Sequence, residues 1–530
     1  MGARDHAIDP EVLAPRPGHP LLVATLPGRK AEDLRTEVQQ AAEAGADLVE
    51  FRLDRLSRGE VGRLERVHEL PLLHPWVPAI ATLRSKAEGG EGPDDLPSRR
   101  KLVLEALDSL PFSFVDLEVA RDLPMREELR SAEGRRLGVV GSAHLPAGTP
   151  TEKAVRTLRA AMQGNEVAKV VLPAPAGQVV REILPALESF RGSPYVCHTT
   201  GGAGSLLRVL APRLGMAWVY CRLPGDRGVA EVERSQVPLD RMRRFINSGP
   251  EAPWMAVVGN PIGHTLSPDL QASFLKATHT EGIYVALELT SEEEFMTVLP
   301  ALRRYGLRGV NATRPFKRAA YQLAKVRSEH ASASAAVNTL VADPADPTGF
   351  RGHNTDVSAL LRWWGELEKA GTPLDRVLVV GTGGAARAAV LASVLHGAQV
   401  FVLGRRPERV QELVHDFPPE TVHAIPPGSL REFPLVVHAT PVGQEGEEGG
   451  VLEVPLQRAL GSGSLLVDLV YRPRASTVQD LVKAPGARYV DGMRMLVYQA
   501  AETFRLFTGT QVPDRLVEEW VAPAAEGVAA

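Results

Sequence analysis

Cysteine is nearly absent, with only Cys197 and Cys221 in 530 residues. Two thiols cannot build a disulfide framework, and neither has partners at metal-ligand spacing, so no metal and a reducing, cytoplasmic setting are expected. Long apolar runs are missing as well. No stretch of about 20 apolar residues is available to span a bilayer, and the opening Met1-Gly-Ala-Arg-Asp-His6 has no apolar signal core. An N-myristoylation motif needs Ser or Thr where His6 stands. Neither sign of charge is in excess, since 60 Lys and Arg face 64 Asp and Glu for a net charge of -4. That balance argues against nucleic acid or a membrane surface as partner, while local Arg clusters remain free to bind small anions.

What is present is too much chain for one core. A length of 530 residues implies two to four domains. The Gly- and Pro-rich stretch Asn247-Ser-Gly-Pro-Glu-Ala-Pro253 interrupts both helix and sheet, and the sequence patterns on its two sides differ. We therefore expect a domain over 19–246, a linker over 247–253, and a second module beyond it.

In the first half, short β-rich apolar runs recur at 21–27, 47–53, 78–83, 112–119, 137–143, 168–173, 194–199 and 216–223, separated by helical periodicity such as Arg29 to Ala44 and Thr151 to Met162. Eight strands alternating with helices is the pattern of a (β/α)8 barrel, with an open doubly wound sheet as the alternative. Functional side chains of such barrels sit at the C-terminal ends of strands. That filter selects Glu50, Arg52, Asp54, Arg84, Asp116, Glu118, His144 and Lys169. A lysine inside the apolar strand Val167-Ala-Lys-Val-Val-Leu172 is expected to be desolvated, which favours a neutral, nucleophilic amine able to form an imine with a ketone. A lysine reaching from the strand end to water is the alternative. His144 closes the neighbouring strand, and an imidazole beside that lysine supplies the proton transfers an imine-based elimination needs.

These residues resemble the type I 3-dehydroquinate dehydratases. The resemblance rests on Glu50-Phe-Arg-Leu-Asp54, Pro78 to Gly90, Ser142-Ala-His144, Lys169 and Gly201-Gly-Ala-Gly-Ser-Leu-Leu-Arg208. It implies a covalent imine on Lys169, proton transfer by His144, and orientation of His144 by Glu88. It also implies a substrate grip from Arg84, Arg208 and Gln236, with Glu50 and Arg52 in the same site. The family's closing Ser-Ala-Pro-Gly-Gln loop corresponds here to Val232-Glu-Arg-Ser-Gln236, so the expected serine is a valine and the glutamine is kept.

Beyond the linker, Val258 to Pro268 reads as a strand, a hydroxyl-rich loop and a helix. Thr265 and Ser267 can serve one small polar ligand, or simply form a turn or helix cap. Three Asn-bearing loops follow, Gly309 to Lys317, Ala335 to Thr339 and Gly352 to Asp356, a set that suits a polyhydroxylated ligand. A Lys and an Asp in one pocket also make a proton-transfer pair. The strand Arg376-Val-Leu-Val-Val380 then runs into Gly381-Thr-Gly-Gly-Ala385 and a helical segment, which is the fingerprint of a dinucleotide-binding turn. The next strand ends in Gly404-Arg405-Arg406, where arginines suit the 2′-phosphate of NADP better than the ribose of NAD.

This half resembles the shikimate dehydrogenases, with further matches at Ala439 to Gly443, Val467 to Pro473 and Asp491 to Gln499. The resemblance implies catalysis by Lys317 and Asp356. It places Thr265, Ser267, Asn311, Thr313, Asn338, Tyr471 and Gln499 at the substrate, and Gly381, Gly383, Gly384, Ala385, Arg405, Arg406, Thr440 and Gly492 at the cofactor. Departures are Thr265 for a more usual Ser, Gly404 for an Asn, and His438 for the Asn before Ala439.

The expected architecture is α/β: a (β/α)8 barrel, then a two-lobed shikimate-dehydrogenase-like module. Its substrate lobe is 254–365 completed by 491–522, and its Rossmann nucleotide lobe is 366–490. The combined expectation is a bifunctional cytoplasmic enzyme that dehydrates 3-dehydroquinate to 3-dehydroshikimate and reduces that product to shikimate with NADPH. The alternatives are a catabolic dehydratase paired with a quinate or shikimate dehydrogenase, and a metabolite-sensing regulator built from the same domains. Segments 1 to about 18 and beyond about 522 read as poorly ordered tails, and no oligomeric state is assigned.

Overall fold

The computed structural model describes residues 18–68, 77–131, 137–225, 235–263, 265–442, 453–471 and 478–525. Most of the two expected tails, and Val232 of the altered loop, lie outside the described residues. So do His264, Gly443, Arg472 and Pro473 of the motifs above. The chain divides into two compact units. The first is Met1–Met255 with Pro261–His264 and Glu281–Leu307, and the second holds the remainder.

The first unit is built on eight strands: β1 (Leu21–Leu26), β2 (Leu48–Arg52), β3 (Ala79–Thr82), β4 (Phe114–Glu118), β5 (Gly138–His144), β6 (Val167–Pro173), β7 (Tyr195–Thr200) and β8 (Trp218–Arg222). Each apolar run of the sequence becomes one of these strands, because a strand buried on both faces has no polar alternation to keep. They form one sheet in the order β7-β6-β5-β4-β3-β2-β1-β8, and β1 pairs in parallel with both β2 and β8. The result is a nearly closed barrel.

Between β7 and β8, closure uses single bonds in place of a ladder. The Ala217 N–H donates to Tyr195 O at 2.8 Å at the bottom, and the Tyr220 N–H donates to His198 Nε2 at 3.3 Å higher up. The barrel floor is a plug of Val23, Leu48, Ile80, Phe114, Val140, Val167, Val196 and Trp218. Phe114 and Trp218 meet edge to face at 5.0 Å, an arrangement favoured by the aromatic quadrupole. Polar residues begin one layer above this plug.

Outer helices follow the expected periodicity. Helix Ala31–Glu43 buries Ala31, Leu34, Val38 and Ala41 at i, i+3, i+7 and i+10, with Glu32 and Asp33 at its positive end. The first unit also contains β10 (Ile283–Glu288) and helix Glu292–Leu302. Within it, the Gly177 N–H donates to Glu294 and the Ser205 hydroxyl donates to Ala286 O at 2.7 Å. The turn after Asn247 is tied down where Arg213 donates to Ala252 O at 2.7 Å.

The second unit contains most of β9 (Trp254–Gly259), then β11 (Leu307–Ala312), β12 (Val326–Arg327), β13 (Thr339–Ala342) and β14 (Phe350–His353). Here β13 runs antiparallel to both β11 and β14, and β12 is parallel to β14. Helix Met493–Thr508 packs back on this lobe, where its Ala500 carbonyl accepts from Gln271 at 2.9 Å. Six further strands make the nucleotide lobe: β15 (Arg376–Val380), β16 (Gln399–Leu403), β17 (Val422–Ala424), β18 (Leu435–His438), β19 (Leu465–Asp468) and β20 (Arg488–Val490). Their order, β17-β16-β15-β18-β19-β20, and their parallel pairing are those of a Rossmann sheet.

Candidate active sites

Parallel strands in register carry their terminal side chains to one level, and in the barrel that level is a ring of polar groups. A cavity at the strand ends is lined by Thr25, Glu50, Arg52, Arg84, His144, Lys169, Val171, His198, Arg208, Tyr220 and Gln236. Seven residues selected from the sequence meet here. Glu88 stands behind them, next to His144.

Lys169 is 2% exposed, yet it is not the neutral amine that desolvation alone predicts. Its Nζ lies 2.9 Å from Asp116 Oδ2 and 3.3 Å from Glu50 Oε1, and 4.2 Å from the centre of the Tyr220 ring. Burial pulls its pKa down, but Asp116 and then Glu50 outweigh burial and hold the ammonium above its usual range. The expectation of a free neutral amine is therefore corrected, because the sequence does not display the counter-ions that β2 and β4 bring to it. Glu50 is the complement of this pair. Burial raises its pKa, but Lys169 foremost, with Arg52, Arg84 and Thr25, brings it down to about 2.

His144 is positioned by Glu88, whose Oε2 accepts the His144 backbone N–H at 2.8 Å and lies 3.3 Å from Nδ1. Its Nε2 meets Arg84 Nη2. Burial, then Arg84, Lys169 and Arg52, keep the imidazole pKa well below its usual range, so the ring is neutral and able to accept a proton. Burial, then the Glu118 carboxylate, push Glu88 up to about 7. Arg121 bridges these two carboxylates at 3.5 and 3.2 Å.

Among the described residues, two polar atoms in the cavity are buried with no protein partner, Arg84 Nε and Gln236 Oε1. Leaving such groups unpaired costs stability, which is the signature of a site shaped for a polar ligand. Arg52 is paired in a fork with Asp54, both bonds at 2.9 Å. Arg208 reaches the cavity wall while binding backbone carbonyls of both seam strands, Thr199 at 2.8 Å and Tyr220 at 3.2 Å. Gln236 donates to Thr25 at 3.2 Å. Thr25, His198 and Tyr220 were not selected from the sequence. Thr25 sits at the end of its strand and passes the same filter once polar residues without charge are admitted, whereas Tyr220 lies in the middle of β8.

In the second unit, Lys317 Nζ is hydrogen-bonded to Asp356 Oδ2. Asn338 fixes the pair, donating to Asp356 Oδ1 at 2.8 Å while its Oδ1 accepts the Thr355 N–H at 2.8 Å. Asn311 donates to Thr339 and Thr503, both at 3.1 Å, and Gln499 lies 3.5 Å from the Thr355 hydroxyl. These contacts join three loops to helix Met493–Thr508. Thr265 donates to Ser267 at 3.2 Å and accepts its backbone N–H at 3.3 Å, so the hydroxyl pair does form a turn; Tyr471 is hydrogen-bonded to Thr265. Thr313 is held through its backbone, its N–H donating to Val258 O at 2.9 Å.

The glycine loop fits a dinucleotide. Gly381 has φ +133°, and a Cβ there would come within 2.7 Å of Ala439 O. Gly383 caps helix Gly384–Leu395 with open space around it, leaving the helix N–H groups available to phosphate. A Cβ at Gly384 would meet the Lys317 chain at 2.7 Å, so the loop lies beside the Lys–Asp pair, and Ala385 follows in the first turn. Arg405 and Arg406 are exposed just past β16. Gly492 caps helix Met493–Thr508 where a Cβ would strike Leu469 O at 2.5 Å. Thr440 is hydrogen-bonded to the buried His438.

A barrel with a buried lysine and imidazole, joined to a Rossmann module with a Lys–Asp pair beside its glycine loop, defines a lyase linked to a nicotinamide-nucleotide oxidoreductase. Family models agree: type I 3-dehydroquinase over residues 22–248, the shikimate dehydrogenase substrate-binding domain over 257–340, and the shikimate 5′-dehydrogenase C-terminal domain over 492–519. The chain is 27% identical over 514 residues to the chloroplastic bifunctional 3-dehydroquinate dehydratase/shikimate dehydrogenase of Arabidopsis thaliana, covering 94% of this chain and 83% of that protein. It is 37% identical over 274 residues to the NADP(+) shikimate dehydrogenase of Thermus thermophilus, covering 52% of this chain and 98% of that protein. A solved shikimate 5-dehydrogenase of Thermus thermophilus in complex with NADP(H) and shikimate is 34% identical, covering 51% of this chain and 99% of that one, with a TM-score of 0.44. The chain belongs to the family of bifunctional 3-dehydroquinate dehydratase/shikimate dehydrogenases of the shikimate pathway. Neither the catabolic nor the regulatory alternative is favoured by these relationships.

Proposed function

We propose that the barrel dehydrates 3-dehydroquinate to 3-dehydroshikimate and that the second module reduces this product to shikimate with NADPH. The observation that carries the first step is the placement of Lys169 and His144 in one cavity with two polar atoms that have no partner among the described residues. Lys169 gives up its proton, attacks the substrate ketone and expels the carbonyl oxygen as water to form an imine. The protonated imine draws electrons from the adjacent carbon, and neutral His144 takes the proton released there. The same imidazole returns that proton to the departing hydroxyl, which leaves as water, and hydrolysis of the imine restores Lys169. Glu88 keeps Nδ1 in place and balances the imidazolium formed in between. Arg84, Arg208 and Gln236 grip the carboxylate and hydroxyls, and Glu50 and Arg52 complete the ring around them.

For the second step, NADPH supplies the hydride when bound. Lys317, steered by Asp356, donates a proton to the carbonyl oxygen that becomes the new hydroxyl. Thr265, Ser267, Asn311, Thr313, Asn338, Tyr471 and Gln499 hold the remaining polar groups of the substrate. Gly381, Gly383, Gly384 and Ala385 would receive the pyrophosphate and Arg405 and Arg406 the 2′-phosphate, and Thr440 and Gly492 would complete the cofactor site. The two buried, unpaired cysteines are in keeping with a cytoplasmic protein. Borohydride reduction in the presence of 3-dehydroquinate tests the chemistry directly. An adduct on Lys169 supports it, and turnover without any adduct refutes it.

A further inference from the structure

The end of β18 carries a chain of hydrogen bonds of which the proposed reaction uses Thr440 alone. His438, 1% exposed, lies in register with Asp468 on β19, and its Nδ1 is 2.9 Å from Asp468 Oδ1. That oxygen also accepts the Val470 N–H at 3.0 Å, and Oδ2 accepts the Tyr489 hydroxyl at 3.2 Å. With the carboxylate accepting on both oxygens, Nδ1 is a donor, and in the neutral imidazole Nε2 presents a lone pair. The Thr440 hydroxyl is hydrogen-bonded to Nε2, and its oxygen accepts the Val442 N–H at 3.3 Å. In the neutral ring the direction of each bond follows: Thr440 donates to His438, and His438 donates to Asp468.

Topology places this chain at the ligand crevice. From β15 the sheet extends through β16 and β17 on one side, and the chain returns to β18 on the other, so β15 and β18 flank the switch point where open α/β sheets bind ligands. Ala439 donates to Val380 O at 2.8 Å, and its carbonyl is the atom a Cβ on Gly381 would strike. Thr440 is the next residue. Its proton is committed to His438, so toward a ligand in the crevice its hydroxyl can only accept.

We propose that His438, held by Asp468, is a positioning residue that fixes the Thr440 hydroxyl as an acceptor for an N–H or O–H donor of the bound dinucleotide. The inference rests on the reading that the Gly381 to Gly384 loop holds NADP(H). A histidine stands here where the shikimate dehydrogenase pattern has an asparagine, so the relay is a feature of this chain's own sequence.

The test is steady-state kinetics of 3-dehydroshikimate reduction by the full chain, with NADPH affinity measured by fluorescence. His438→Leu should raise KM for NADPH about five- to tenfold, the equivalent of one hydrogen bond, while kcat stays within about twofold. Dehydratase activity of the same sample reports that the barrel is intact. His438→Gln, which keeps an acceptor at similar reach, should recover most of the affinity. Thr440→Val should reproduce the defect, and the double variant should be no worse than either single one, because both changes remove one interaction. Should His438→Leu not fold, Thr440→Val with Thr440→Ser as its rescue carries the same test. An unaltered KM in His438→Leu or Thr440→Val, or additive losses in the double variant, overturns the proposal. Gly381→Ala separates the two levels: if it leaves NADPH binding intact, the cofactor reading itself fails, and if it alone weakens binding, only the relay does.

Discussion

Asp116 Oδ2 lies 2.9 Å from Lys169 Nζ, so the proposed nucleophile of the barrel is one half of a buried ion pair. Burial lowers the lysine's pKa, but this carboxylate and Glu50 together overcome that effect. Imine formation must begin with loss of a proton that the free enzyme holds firmly. Asp116→Asn removes the nearest counter-charge, so the pH dependence of adduct formation at Lys169, followed by borohydride trapping, should move to lower pH by about one unit or more. An unshifted profile would mean that the pair does not control the amine.

The Glu88 side chain is 8% exposed, and burial and then Glu118 push its pKa up to about 7. If the ionised form orients His144, kcat/KM for dehydration should fall with a one-proton slope below about pH 7, and Glu88→Gln should lack that limb while losing activity. Stability should respond in the opposite sense. The unfolded carboxyl ionises near 4.5 and the folded one near 7, so Glu88 destabilises the fold increasingly between these values. Glu88→Gln should therefore gain thermal stability relative to the parent as pH rises from 5 to 8; equal gains at both pH values would contradict the assignment.

Much of this was legible in the sequence, and the parts that were not share a cause. All eight barrel strands stand where short apolar runs predicted them, since local pattern is enough to define a strand buried on both faces. Lys169, His144 and the Gly381 loop were recognisable because each sits in a short motif with a chemical meaning. The charge state of Lys169 was not, because its partners are 53 and 119 residues away and only the barrel brings them together. His198, which substitutes for a ladder bond at the β7–β8 seam, gives no local signal at all. Nor does the packing of Glu281–Leu307 with the barrel, a segment that begins some 30 residues beyond the Gly- and Pro-rich boundary.

Asn338 uses both ends of its amide at the Lys317–Asp356 pair, on Asp356 itself and on the adjacent Thr355. Asn338→Ala leaves a buried carboxylate oxygen and a backbone N–H unpaired, so the second module should lose about 1–3 kcal/mol of stability. Displacement of Asp356 should also cost about a hundredfold in reduction, with dehydration unaffected. Wild-type reduction rates in this variant would remove Asn338 from the account.

Arg405 and Arg406 are exposed just past the end of β16, the position where an acidic residue would bind a ribose 2′-hydroxyl. Replacing both with Ser should raise KM for NADPH by about ten- to a hundredfold, the loss of charge-assisted bonds to phosphate, and change that for NADH by less than about threefold. Equal effects on the two cofactors would mean that the arginines do not read the 2′-phosphate.

The central claim is that one chain performs two consecutive reactions at two separate sites, and a coupled assay with 3-dehydroquinate and NADPH tests it most directly. The parent protein should form shikimate and oxidise NADPH. Lys169→Ala should abolish NADPH oxidation from 3-dehydroquinate yet retain it from added 3-dehydroshikimate, which also shows that the chain has folded despite the buried carboxylates left unpaired. Lys317→Ala should convert 3-dehydroquinate to 3-dehydroshikimate and stop there. A parent protein that makes neither product, or a Lys169→Ala chain that still yields shikimate from 3-dehydroquinate, would contradict the account.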